Sequence, residues 1–294
     1  MSAADANSLR AALLAHATAS GGWAYYPGHA SRLEPTCWAL LALGGPASDF
    51  DPEPHWRFLI GCQRTSGLLL ENPALPANIA FNALAGIAML GSERFQSARE
   101  LPTLLESLVA RAGLQVAQSP NFRQDNSLRG WSWTEGTFSW VEPTSLAILA
   151  LKRAARRNLN PKDAASRIEE AERMLLDRCC REGGWNYGNA NALGKDLFPY
   201  VACTALALLA LQNRRDAEAV TRSLRFLEEQ WKTEASTISL ALTSICFRRF
   251  GLATDAVDRA LAARVPISIE LGNVHAIATA LYALGAGSHD ALTV

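Results

Sequence analysis

Four ionisable residues of this 294-residue chain, Glu34, Glu142, Asp196 and His275, have the type and setting to carry chemistry. Glu34 and Glu142 each stand directly before a Pro-Thr pair that opens an alanine- and leucine-rich run, and His275 opens a run of the same character. If those runs are helices lying side by side and pointing one way, their first residues form a ring at one opening. Groups far apart in sequence then meet. Asn78 or Asn82 belongs near that level ahead of another such run, and Asp196 with Tyr200 leads into a fourth. Carboxylates and an imidazole around one apolar opening could act as acid and base, because burial raises a carboxyl pKa and keeps a proton in place to give. The same groups could hold a divalent ion, since a histidine with carboxylates suits several metals. A plainer reading is equally open: a Glu ahead of a proline-started helix is favoured by the helix dipole and by unbonded backbone N–H groups, so both glutamates are explained as caps. Against this, a mere cap would as readily be Ser or Asp. His275 alone also fits an ordinary core histidine, and His16, His29, His55 and His289 form no helical metal-binding pair.

Both glutamates belong to a duplicated cassette. GWAYYPGHASRLEPTCWALLAL, residues 22–43, aligns without a gap on GWSWTEGTFSWVEPTSLAILAL, residues 130–151. The tryptophans Trp23 and Trp131, the glycines Gly28 and Gly136, and the serines Ser31 and Ser139 recur in step. A looser third copy spans 184–211, with about six extra residues between Trp185 and its alanine-rich run. The loops between paired runs collect aromatics, of which Trp23, Tyr26, Trp131, Trp133, Trp140, Trp185 and Tyr200, together with Asn78, are candidates to line a substrate cavity. For Trp23, Trp131 and Trp185, at the repeating position, the alternative is that they staple neighbouring hairpins together.

Repeats decide the architecture. Apolar spacing of three and four predicts paired helices over 8–18 and 35–43, 55–63 and 77–90, 101–111 and 143–156, 161–181 and 200–212, 218–230 and 236–250, and 255–263 and 275–284. Gly44-Gly45-Pro46 is a stop signal for the first pair. The second helix of each pair is apolar on nearly every side and therefore buried all round, whereas the first carries charge on one face. Six buried helices inside six amphipathic ones predict an all-α fold, a closed (α/α)6 toroid over residues 1–294, and not an open solenoid with capping repeats.

Lys plus Arg and Asp plus Glu number 28 each, so no global field recruits nucleic acid or an acidic membrane. The basic runs at 152–157 and 248–249 end apolar helices, where cations favour the C-terminus. Neither a signal peptide nor an apolar stretch of about 18 residues is visible, so a cytoplasmic protein without a membrane span is expected. The six cysteines show no CxxC pair and read as reduced core thiols. No feature specifies an oligomer.

The Gly-Gly-Trp followed by a loop and an Ala/Leu-rich helix resembles the repeat of the terpenoid cyclase and protein prenyltransferase superfamily, toroids that include squalene cyclases and prenyltransferase β subunits. The resemblance covers essentially the whole chain and is strongest in repeats one, three and four. It implies an apolar, isoprenoid-type substrate in a central cavity, aromatic faces that guide a carbocation, and cyclisation or isomerisation started by Glu34 or Glu142 with Asp196 or His275. Departures weigh against a direct transfer of activity. The family's Asp-x-Asp-Asp acid motif is missing, since SDFDPE at 48–53 holds only Asp49 and Asp51. The prenyltransferase zinc segment is echoed by Gly194, Lys195 and Asp196 but has no histidine after it, and Cys203 lacks partners, so no metal or other cofactor is specified. The Gln-Trp signature survives only as Gln63 without its Trp. A non-catalytic toroid holding a lipid or protein, and a prenyltransferase β-like subunit that needs a partner, stand as the alternatives.

Overall fold

A computed structural model describes residues 3–44, 50–285 and 289–294. Gly45, Pro46 and Asp49 lie outside these described residues. The chain winds through α1 (Ala3–Ala15) and α2 (Leu33–Leu43), α3 (Glu53–Gly61) and α4 (Ile79–Leu90), α5 (Glu100–Val109) and α6 (Val141–Arg156), α7 (Ala164–Asp177) and α8 (Val201–Ala210), and α9 (Glu218–Gln230) and α10 (Thr237–Phe250). The last pair is α11 (Asp255–Ala262) and α13 (Val274–Leu284), with a short α12 (Val265–Glu270) between them that the sequence pattern does not predict. Helices α2 and α6 begin two residues before their prolines, so Pro35 and Pro143 occupy the third helical position. That position still lies in the first turn, where a missing N–H costs no helical bond.

The inner helices form a closed ring. Each of α2, α4, α6, α8, α10 and α13 packs on the next, and α13 returns to α2. Every outer helix covers the inner helix of the preceding repeat, and α1 covers α13 in the same way. None of the described helices is long and apolar enough to cross a membrane.

The repeated cassette joins the two helices of hairpins one, three and four. Trp23, Trp131 and Trp185 are fully buried, and their indole N–H groups donate to the Leu13, Leu108 and Leu175 carbonyls near the ends of the preceding outer helices at 2.7, 2.7 and 2.6 Å. Their backbone N–H groups donate to the hydroxyls of Thr36, Thr144 and Thr204 on the inner helices at 2.8, 2.9 and 2.9 Å. Repeat two has Leu69 at the place of the cassette Trp, and Asn82 takes the place of the Thr and brackets Leu69 through its amide. The glycine before each Trp is a packing requirement: a Cβ on Gly130 would stand 2.2 Å from Thr144 Oγ1. Gly130→Ala should therefore lower the urea unfolding free energy by roughly 1–3 kcal/mol through overpacking.

A second set of bonds stitches the loops of repeats one to four to the neighbouring inner helices. The residue two after the Trp position caps the first N–H of the preceding repeat's inner helix. Trp133 O accepts from Ile79 N at 2.8 Å, Tyr187 O from Val141 N at 2.8 Å, and the Glu71 carboxylate from Leu33 N. Tyr25 O accepts from Val274 N at 3.0 Å, which closes the seam between the first and last repeats.

At the opposite end, the terminal 3₁₀ turn His289–Leu292 lies against α4 and α6. Gln212 Nε2 donates to Leu292 O at 2.9 Å, Arg153 donates to Asp290 O, and Leu292 is fully buried.

Candidate active site

With the inner helices in register, their second residues are Glu34, Ala80, Glu142, Ala202, Ile238 and His275. The two carboxylates and the imidazole expected at one opening thus occupy equivalent places on α2, α6 and α13. Glu34 Oε2 lies 3.6 Å from His275 Nδ1 and accepts a hydrogen bond from Tyr25 Oη at 2.5 Å. Tyr25 is the member of this group least evident in sequence. Its only signal is its place two residues after a cassette Trp, the place whose carbonyl caps the adjacent helix.

Neither glutamate is a cap. The first N–H of α2 is taken by Glu71 and that of α6 by Tyr187, and Arg32 and Trp140 at the cap positions make no side-chain cap bond. No described group hydrogen-bonds the Glu142 carboxyl, and burial, with the Glu34 charge as a second cause, pushes its pKa up from 4.5 to about 7. A half-buried carboxyl with no described donor to stabilise its anion holds its proton more tightly than an exposed one. Burial likewise lowers the His275 pKa, with the Glu34 charge opposing, so the imidazole is neutral at neutral pH. Burial, the Glu34 charge and the hydrogen bond to Glu34 hold the Tyr25 phenol well above its usual range. Beneath this layer the Cys37 and Cys203 thiols are buried and pushed up by desolvation first and then by carboxylate charge, which leaves them inert as nucleophiles.

Asp196 does not join the ring. The six additional residues of repeat four form a small hairpin, β1 (Asn191–Ala192) paired antiparallel with β2 (Lys195–Asp196), which carries it away from the helix start. There its carboxylate accepts from Asn191 at 3.0 Å and pairs with Arg123 at 3.0 Å and Arg181 at 3.4 Å. The Asn191 hydrogen bond and these two guanidinium groups lower its pKa, so it is an ion and not a proton donor.

The aromatics divide in two. Trp23, Trp131 and Trp185 are staples with no surface to offer a ligand, as the indole bonds require. Trp133 and Trp140 remain partly exposed, Trp133 edge-on to Phe81 with centroids 6.5 Å apart and Trp140 edge-on to Phe138 at 5.5 Å. Tyr200 is exposed at the start of α8 with its ring 5.1 Å from that of Tyr187, and Tyr26 is exposed. Trp38, on the second turn of α2, stacks on His275 with centroids 6.1 Å apart. Asn78 is spent as the N-cap of α4, accepting from Phe81 N at 3.1 Å. Among the described residues no three His, Cys, Asp or Glu side chains are grouped to hold a metal ion, so a divalent ion at the ring would find only the Glu34–His275 pair.

No protein-family model matches the chain, and no curated protein matches it in sequence. Solved structures do. A type II terpene cyclase, MstE from Scytonema in complex with merosterolic acid A, superposes with a TM-score of 0.59 at 14% identity over 96% of this chain and 95% of that one. What the two share is the fold, a closed helical toroid. An α-amylase from Clostridium perfringens superposes with a TM-score of 0.69 at 11% identity over 95% and 97% of the two chains. An α-1,6-mannanase of Salegentibacter in complex with α-1,6-mannotetrose gives 0.62 at 11% identity over 95% and 98%. Such distant likenesses carry the closed helical ring and leave the reaction to be argued from the side chains.

Proposed function

We propose that this toroid is an enzyme that takes an apolar, isoprenoid-type substrate at the mouth of the ring and starts its cyclisation or isomerisation by protonation. The observation that carries this reading is the Glu142 carboxyl, which has no hydrogen-bond donor and a pKa of about 7. Glu142 gives its proton to an alkene carbon. The π electrons form the new C–H bond, and the positive charge that appears is favoured by the Glu34 charge and by the partly exposed faces of Trp133, Trp140 and Tyr200. Loss of a proton from carbon to neutral His275 or to Glu34 then ends the reaction with no net change in protons. A carboxyl whose surroundings raise its pKa, set close to a second acid, is the pattern expected of a proton donor.

Protonation of a glycosidic oxygen would use the same acid, but a sugar needs polar side chains to hold its hydroxyls. The remaining three places of the ring are Ala80, Ala202 and Ile238, which suit hydrocarbon. Native mass spectrometry tests the choice with geranylgeraniol as probe, alongside solvent extraction of the protein as purified. One retained isoprenoid per chain is expected. Failure to retain the probe, with no apolar molecule in the extract, would remove the hydrocarbon-binding mouth.

A further inference from the structure

The long connection between α5 and α6 builds a cleft that the ring chemistry does not use. Its volume is about 730 Å³, and Gln115–Gln118, Arg123–Asp125, Ser127 and Asp177 line it. One side chain there is left incomplete. Asn126 Nδ2 donates to Ala117 O at 3.0 Å, which fixes the orientation of that amide, and Asn126 Oδ1 accepts from Gln124 Nε2 at 3.0 Å, which fixes the next. Gln124 is therefore held with its carbonyl oxygen and not its nitrogen unpaired, on a residue only 6% exposed whose Oε1 has no donor. That oxygen is closed to solvent, and a buried amide oxygen without a donor costs on the order of 1–3 kcal/mol, so a ligand whose hydroxyl displaces its cover is favoured.

The neighbouring groups define that ligand. Asp125 Oδ1 is taken by Ser127, and Asp177 Oδ2 accepts from Asp125 N at 2.9 Å, so each carboxylate keeps one oxygen for another donor. Arg173 acts weakly on Asp125 and Arg178 on Asp177, and Arg123 lines the cleft while paired with Asp196, so the two carboxylates are partly offset. A ligand that donates to several oxygens, accepts from a guanidinium, carries no charge and fills several hundred Å³ is a polyhydroxylated one. We propose that this cleft is a saccharide-binding site, separate from the ring of acids and independent of the reaction assigned to it.

Saturation-transfer NMR with maltotriose, cellotriose and α-1,6-mannotriose, each at about 10 mM, tests the site in the intact protein. At least one should bind, and Asp177→Asn and Gln124→Leu, each checked for fold by circular dichroism, should weaken it tenfold or more. Glu142→Gln should leave it unchanged. Binding of none of the three, binding indifferent to both cleft variants, or binding lost in Glu142→Gln would each overturn the proposal, the last because the sugar would then sit in the mouth. Binding that appears only with added calcium would overturn it as well, since the orphan oxygen would then be a metal ligand.

Discussion

Glu142→Gln is expected to abolish turnover while making the protein more stable above neutral pH. Removal of a positioned proton donor lowers kcat by about 10²–10⁴-fold. The stability effect follows from the same raised pKa. The folded carboxyl is pushed up to about 7 from its ordinary 4.5, so the native state holds this proton more tightly than the unfolded chain does. Its contribution is fully present below about pH 4.5 and is lost as the pH rises through 7, because folding must then bury the charge. Gln has no charge to bury, so the variant should match the parent near pH 4 and exceed it at pH 8 by roughly 3 kcal/mol at most. The field at the start of α6 favours the ion and trims that figure. Urea unfolding at the two pH values checks this, and a stability difference that did not change with pH would show the folded carboxyl to titrate as an ordinary one, ionised at neutral pH and unsuited to give a proton.

Trp131→Ala should cost about 3–5 kcal/mol, a large part of the roughly 5–15 kcal/mol that holds a domain folded. The indole is fully buried, donates to the Leu108 carbonyl at 2.7 Å and lies under the Arg167 guanidinium, 4.6 Å from its centroid. Truncation opens a cavity and leaves a helix-end carbonyl without its donor. Trp133→Ala, two residues away, should cost about 1 kcal/mol or less, because its ring is partly exposed and the bond to Ile79 comes from its backbone. The two variants separate staple from wall: similar losses of stability, or lost activity in folded Trp131→Ala but not in Trp133→Ala, would reverse the assignment.

The sequence pattern carried the ring because two properties of it are local. Inner helices such as SLAILAL are apolar all round, and the ungapped cassette places Glu34 and Glu142 at one helical level, where His275 also falls. What escaped it was set by neighbours distant along the chain. Asp196 is only a few residues before α8, but a six-residue insertion turns into a hairpin and hands it to Arg123 and Arg181. Trp131 and Trp133 share a residue type; the repeating position offered a staple reading for Trp131 alone, and the bond to the Leu108 carbonyl decides it. Tyr25 gave no sign of its partnership with Glu34, since that bond depends on the loop path set by the seam at Val274.

That seam has a further meaning. Because the junction of hairpins one and six uses the same carbonyl-to-amide latch as junctions two to three and three to four, the cyclic order of the hairpins matters and the position of the covalent break does not. A polypeptide opened between α8 and α9 would keep each of these latches, and its two pieces would still meet at the seam that sets Tyr25 and Glu34 against His275.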